Sequence, residues 1–172
     1  MSIPPSRSPT RALSPSAVSW LRLLGCVVLM LAVGGVGGAV TSPAIPAWYE
    51  GLVKPGWTPP NAAFPIVWTL LYLMMAVSLW RLWDKVPPST ARSVAIGLFL
   101  AQLALNFLWS PVFFGLHAIH AALVIIIGLV VLLALTLRAT FPLDRIAGWL
   151  LVPYLVWVCY ASTLNAGIAV LN

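Results

Sequence analysis

Five long apolar runs, divided by short polar breaks, decide what this chain can become. A helix needs about 20 apolar residues to cross about 30 Å of hydrocarbon, and there it must satisfy its own backbone polar groups. Spans are predicted over residues 18–40, 61–83, 90–114, 117–137 and 144–171. Only 7% of the 172 residues are charged and 62% are hydrophobic, which no water-soluble domain of this size can cover with polar surface. The expected fold class is an all-α integral membrane protein, a five-transmembrane-helix bundle over residues 18–172 with no soluble domain beside it. Residues 1–17 hold four prolines, five serines and two arginines and are expected to form a disordered amino-terminal tail. The first run has features of a signal peptide, but its apolar part is long for one, and Gly34 and Gly38 form a Gly-x-x-x-Gly pair suited to helix packing. A retained span is expected.

Five spans also sort the charge. Arg7, Arg11, Arg22, Arg81, Lys85, Arg92, Arg138 and Arg145 fall on one side and only Lys54 on the other. Positive charge favours the cytoplasmic face, so the amino terminus is expected inside a bacterial inner membrane, with the loop over residues 41–60 outside. The net charge of +6 would suggest nucleic acid in a soluble protein; here the bases sit at helix ends, and no nucleic-acid partner is expected.

The longest polar interruption begins at Trp48 and runs into the second span. Trp48, Tyr49 and Trp57 suit a membrane interface, and Pro55, Pro59 and Pro60 stiffen a loop that cannot be helical until after them. A ligand site roofed by this loop is the leading expectation. Inside the spans, residues three or four apart share a face. Trp68 pairs with Tyr72; Gln102, Asn106 and Trp109 form a second face; Tyr154, Trp157 and Ala161 form a third. Gln102 and Asn106 serve either interhelical hydrogen bonds or ligand contact, since amides in a membrane need partners. Trp80, Trp83 and Trp149 fit an aromatic belt at helix ends, whereas Trp157 lies several turns inside its helix and is expected to line a ligand site.

Other chemistry is thinly supplied. His117 and His120 stand at a predicted helix start without a second pair, so no metal is expected. Cys26 and Cys159 lack Cys-x-x-Cys spacing and read as buried small hydrophobes. Glu50, Asp84 and Asp144, the only carboxylates, all lie near helix ends; no general acid and base pair or intramembrane proton relay is visible.

Four blocks occur in a specific order: Trp48-Tyr49 with Lys54-Pro55-Gly56-Trp57-Thr58-Pro59-Pro60; Phe64-Pro65-Ile66-Val67-Trp68-Thr69-Leu70-Leu71-Tyr72; Gln102, Asn106, Trp109-Ser110-Pro111 and Phe113-Phe114; and Pro153-Tyr154-Leu155, Trp157, Ala161 and Leu164-Asn165. In these the sequence resembles the translocator protein (TspO/MBR) family, also called tryptophan-rich sensory proteins or peripheral-type benzodiazepine receptors. The resemblance implies a five-helix bundle, often a homodimer, that requires no cofactor and takes a porphyrin such as protoporphyrin IX, or haem, as ligand beneath the first loop. By position it carries pocket roles onto Trp48, Trp57, Trp68, Asn106, Trp109, Tyr154 and Trp157, with Ala161 beside the pocket. Transport, scavenging or sensing of tetrapyrroles is the expected function. Some bacterial relatives are associated with light-dependent porphyrin breakdown that depends on tryptophans matching Trp68 and Trp157, the only candidates for catalytic residues; a regulatory adaptor is a third alternative. Animal relatives bind cholesterol, but no basic residue follows Tyr154 or Tyr160, and only Arg138, Phe141 and Leu143 fit the reversed sterol pattern, so weak cholesterol binding at most is expected.

The charge sorting is checked by reporter fusions at residue 88 and after Asn172. The first should report inside and the second outside; an outside signal at residue 88 contradicts the assignment.

Overall fold

The computed structural model describes residues 14–172, so most of the expected tail lies outside the described residues. The chain forms α1 (Pro15–Ala47), a short 3₁₀ turn at Tyr49–Gly51, α2 (Ala63–Asp84), α3 (Thr90–Ser110), α4 (Ile119–Thr140) and α5 (Arg145–Leu171). All five helices are long and apolar enough to cross a membrane, and the described residues contain no strand. Around the bundle α1 packs on α2, α2 on α5, α5 on α4 and α4 on α3, and the far end of α3 returns to α1.

Starts follow local chemistry. Ser14 Oγ accepts the Ala17 N–H at 3.3 Å with Pro15 at the first helical position, so α1 begins inside the stretch expected to be tail. Ser89 and Asp144 cap α3 and α5 in the same way, accepting from Arg92 N at 3.2 Å and Ala147 N at 3.0 Å. The other end of α1 departs further from expectation. It runs to Ala47 through Pro43 and Pro46, so the connection to α2 is shorter than the loop expected over residues 41–60. Proline removes one backbone donor but does not end a helix whose neighbours cover the freed carbonyl. The remaining helix limits fall within four residues of the predicted ones. Beyond Pro111, α3 widens into a π-helical turn over Pro111–Gly115, with Leu116 N–H donating to Pro111 O at 2.9 Å, and His117 then takes a φ of 54° to redirect the chain into α4.

The basic end of the bundle is solid. Met30, Met75, Leu82, Phe99, Leu133 and Leu151 are fully buried there. Asp84 at the end of α2 accepts from Ser19 Oγ at 2.7 Å and Arg22 Nη1 at 3.1 Å on α1. Arg81 Nη2 lies 2.9 Å from Asp144 Oδ2, tying α2 to the start of α5. Burial raises the Asp144 pKa, but the Arg81 guanidinium and the capped backbone N–H outweigh it and hold the carboxyl below its ordinary range. Because the folded-state pKa is the lower one, this tie contributes fully above the unfolded carboxylate pKa and is lost as pH falls through the folded value. Large apolar groups such as Trp20, Val124 and Val156 point outward, as a lipid-facing surface requires. Cys26 is buried as expected; Cys159 is exposed on the outer surface of α5 and is no part of the core.

Candidate functional site

The other half of the bundle is hollow. Along α1, Gly34, Gly37 and Gly38 present no side chain, and opposite them stand the rings of α2, α3 and α5. A Cβ at Gly34 would fall 2.7 Å from the Tyr72 ring, so this glycine sets how near α1 comes to α2, whereas a Cβ at Gly38 would meet nothing within 4 Å. The Gly-x-x-x-Gly pair therefore does two jobs inside one chain: Gly34 admits a ring, and Gly38 leaves space. The result is a cavity of about 510 Å³.

Six of the expected site residues line it together: Trp68 and Tyr72 from α2, Asn106 and Trp109 from α3, and Trp157 and Ala161 from α5. Most of their polar atoms are paired. The Tyr72 hydroxyl donates to Asn106 Oδ1 at 2.7 Å, and Trp109 Nε1 donates to Asn165 Oδ1 at 3.1 Å. Asn165 Nδ2 in turn donates to the Ile119 carbonyl at 3.0 Å. Trp109 stacks on Phe113 with ring centroids 5.1 Å apart, and Trp68 lies tilted against Tyr72 at 5.5 Å. Trp157 differs from the rest. Phe64 meets its face edge-on at 5.9 Å, and its indole N–H is buried with no acceptor.

Gln102 and Tyr154 lie beyond the wall rather than on it. The fully buried Tyr154 hydroxyl donates to Gln102 Oε1 at 3.0 Å, and the Tyr154 ring supports Trp68 edge-on at 6.1 Å. Gln102 thus takes the interhelical role, while Asn106 both bonds to Tyr72 and faces the cavity. Trp48 turns away from the cavity and stacks on His117 at 4.2 Å, because the π-helical turn and the positive φ of His117 bring that ring beneath it. Trp57 is 58% exposed and contributes only its carbonyl, which accepts from the Tyr160 hydroxyl at 2.6 Å. Among the described residues no cluster of His, Cys, Asp or Glu could hold a metal ion. Asn165, which was not expected to line the cavity, does so because its place four residues after Ala161 puts it on the same face of α5.

The first loop is clasped to α5. Asn172 accepts the Val53 N–H and donates to the Val53 carbonyl, both at 3.0 Å, so the loop gains a strand-like partner from one side chain. Gly167 has no side chain because one would collide with Pro55. Lys54 is occupied as well: Nζ donates to Glu50 O at 3.1 Å and Leu52 O at 3.0 Å and sits 5.0 Å from the Tyr49 ring centroid. Tyr49 and Asn61 bring this loop to the cavity wall.

The clasp is checked by amide hydrogen exchange. Asn172→Ala removes both bonds to Val53, each worth about 1 kcal/mol, so exchange in the loop peptide should quicken roughly fivefold or more while α3 is unaffected. Unchanged loop exchange contradicts the clasp.

Comparison with known sequences agrees with this arrangement. The profile of the TspO/MBR family matches residues 26–171. Tryptophan-rich protein TspO of Chlorobaculum tepidum is 41% identical over 152 residues, covering 88% of this chain and 96% of that one. Protein CrtK of Rhodobacter capsulatus is 34% identical over 152 residues, with 88% and 94% covered. The translocator protein of Homo sapiens is 38% identical over 119 residues, with 69% and 70% covered. With a family profile spanning all five helices and relatives this similar across most of its length, the chain belongs to the TspO/MBR family.

Proposed function

We propose that this protein binds a flat tetrapyrrole, a porphyrin such as protoporphyrin IX or haem, in the cavity, and serves in its transport, scavenging or sensing. One observation carries the reading: three indoles from three helices, Trp68, Trp109 and Trp157, converge on one cavity of about 510 Å³. That volume lies within the roughly 300–1,000 Å³ of small-molecule sites. Aromatic faces suit a planar macrocycle, which exchanges lipid contacts for stacking. The Tyr72–Asn106 and Trp109–Asn165 bonds already satisfy the groups they join, so the wall offers apolar surface without many donors to desolvate. Trp157 Nε1 is the exception, and a ligand acceptor beside it would complete a buried donor. The names of relatives, tryptophan-rich sensory protein and translocator protein, favour sensing and transport over hydrolysis. An inner-membrane location with the amino terminus inside belongs to the same reading, supported by the bases gathered at one end.

A second reading is light- and oxygen-dependent breakdown of the bound porphyrin. It is favoured by one fact, that Trp68 and Trp157 share the cavity, where an excited macrocycle would lie against both. Illumination of the complex separates the readings: loss of porphyrin absorbance that requires both indoles supports breakdown.

Titration of the purified protein with protoporphyrin IX should quench tryptophan emission saturably. Trp68→Phe with Trp157→Phe keeps apolar bulk but removes stacking area, a loss of about 1 kcal/mol per ring, and should weaken binding roughly tenfold or more. Trp83→Phe, at a helix end, should change little. Equal effects at the pocket and at Trp83 contradict the proposal.

A further inference from the structure

At the end of the bundle opposite the cavity, a separate groove of about 350 Å³ is walled by Arg22, Trp83, Asp84, Lys85, Pro87 and Arg92. Three cations face one carboxylate, and that carboxylate is saturated. Asp84 accepts from Ser19 Oγ at 2.7 Å and Arg22 Nη1 at 3.1 Å and lies 3.1 Å from Lys85 Nζ. Arg92 has no carboxylate partner among the described residues. Its Nη1 donates only to the Trp83 and Val86 carbonyls, at 3.3 Å and 3.1 Å, and its Nε is buried with no acceptor. The groove is therefore positive overall and holds a donor that the protein leaves unpaired. Its frame is stiff, because Pro87 and Pro88 lead into the Ser89 cap of α3. Arg22 packs over the Trp83 ring at 5.5 Å and Lys85 over Trp80 at 4.9 Å, contacts that hold the heads in place without consuming their N–H groups.

We infer that this groove binds the headgroup of an acidic phospholipid, with the phosphodiester accepting from Arg22, Lys85 and Arg92. The position argues for a lipid rather than a free anion. Trp83 is 44% exposed and Trp20 70% exposed, as rings at the boundary between headgroups and hydrocarbon are, and Leu21 and Leu24 are exposed within two residues of Arg22 on α1, so apolar surface begins at the depth of the groove. Basic pockets between spanning helices recognise anionic headgroups by this chemistry, and guanidinium groups match phosphate oxygens in pairs. A zwitterionic headgroup brings its ammonium into a groove that is already positive and is selected against. This inference is independent of what fills the cavity.

The test is native mass spectrometry of the full chain, released from micelles holding equal amounts of phosphatidylglycerol and phosphatidylcholine. The wild type should retain phosphatidylglycerol preferentially, and Lys85→Gln and Arg92→Gln should each lower its retention about fivefold. Lys85 makes no bond to the turn carbonyls, so that variant stays decisive if Arg92→Gln disturbs the turn. Arg138→Gln, at the end of α4, should leave retention unchanged. Equal retention of the two lipids, an equal loss in Arg138→Gln, or displacement of phosphatidylglycerol by millimolar inorganic phosphate would each overturn the inference, the last by identifying a free-anion site.

Discussion

Three donors, each bonded to a carboxamide on another helix, hold the bundle together around its cavity. Tyr72 reaches from α2 to Asn106 on α3, Tyr154 from α5 to Gln102 on α3, and Trp109 from α3 to Asn165 on α5. Hydrophobic burial gives little preference for one helix neighbour over another when lipid is as apolar as the core, so directional bonds of this kind carry much of the specificity. Each contributes about 0.6–2 kcal/mol in a membrane, and together they make α3 the hub to which α2 and α5 are keyed. Asn165 extends the same network to α4 through the Ile119 carbonyl. The cavity exists because these bonds fix the rings around it instead of letting them collapse inward.

Helix α1 plays a different part. It buries only Cys26 and Met30 and joins none of these carboxamide bonds. What holds it is the polar cluster of Ser19, Arg22 and Asp84 at one end and the contact of Gly34 with Tyr72 further along. Past Gly34 it borders the cavity with glycines and with Thr41 and Ser42, and packs against the π-helical turn that follows Pro111. The cavity thus has one wall of rings from α2, α3 and α5 and one wall of small residues from α1.

Much of this was legible in the sequence, for identifiable reasons. The spans follow from hydropathy alone, since nothing else in this chain competes with the cost of an unsatisfied backbone in lipid. Trp68, Asn106, Trp109, Trp157 and Ala161 were readable because their helical spacing and depth separate them from rings at helix ends. The end of α1 was not readable, because Pro43 and Pro46 look like breakers until the packing around them is known. Trp48 was misleading for a related reason: its environment is made by the π-helical turn after Pro111 and by the backbone of His117, neither of which has a periodic signature. Gln102 and Tyr154 share faces with cavity residues but lie one turn deeper, and spacing gives the face without the depth.

In the proposed function a tetrapyrrole lies in the cavity against Trp68 and Trp157. An experimental structure of the protein with bound protoporphyrin IX tests it most directly. The macrocycle is expected between those two rings, with a ligand or ligand-held water acceptor in hydrogen-bond reach of Trp157 Nε1. A macrocycle on the lipid-facing surface, with the cavity unfilled by it and the Trp157 indole still unpaired, would rule this binding mode out.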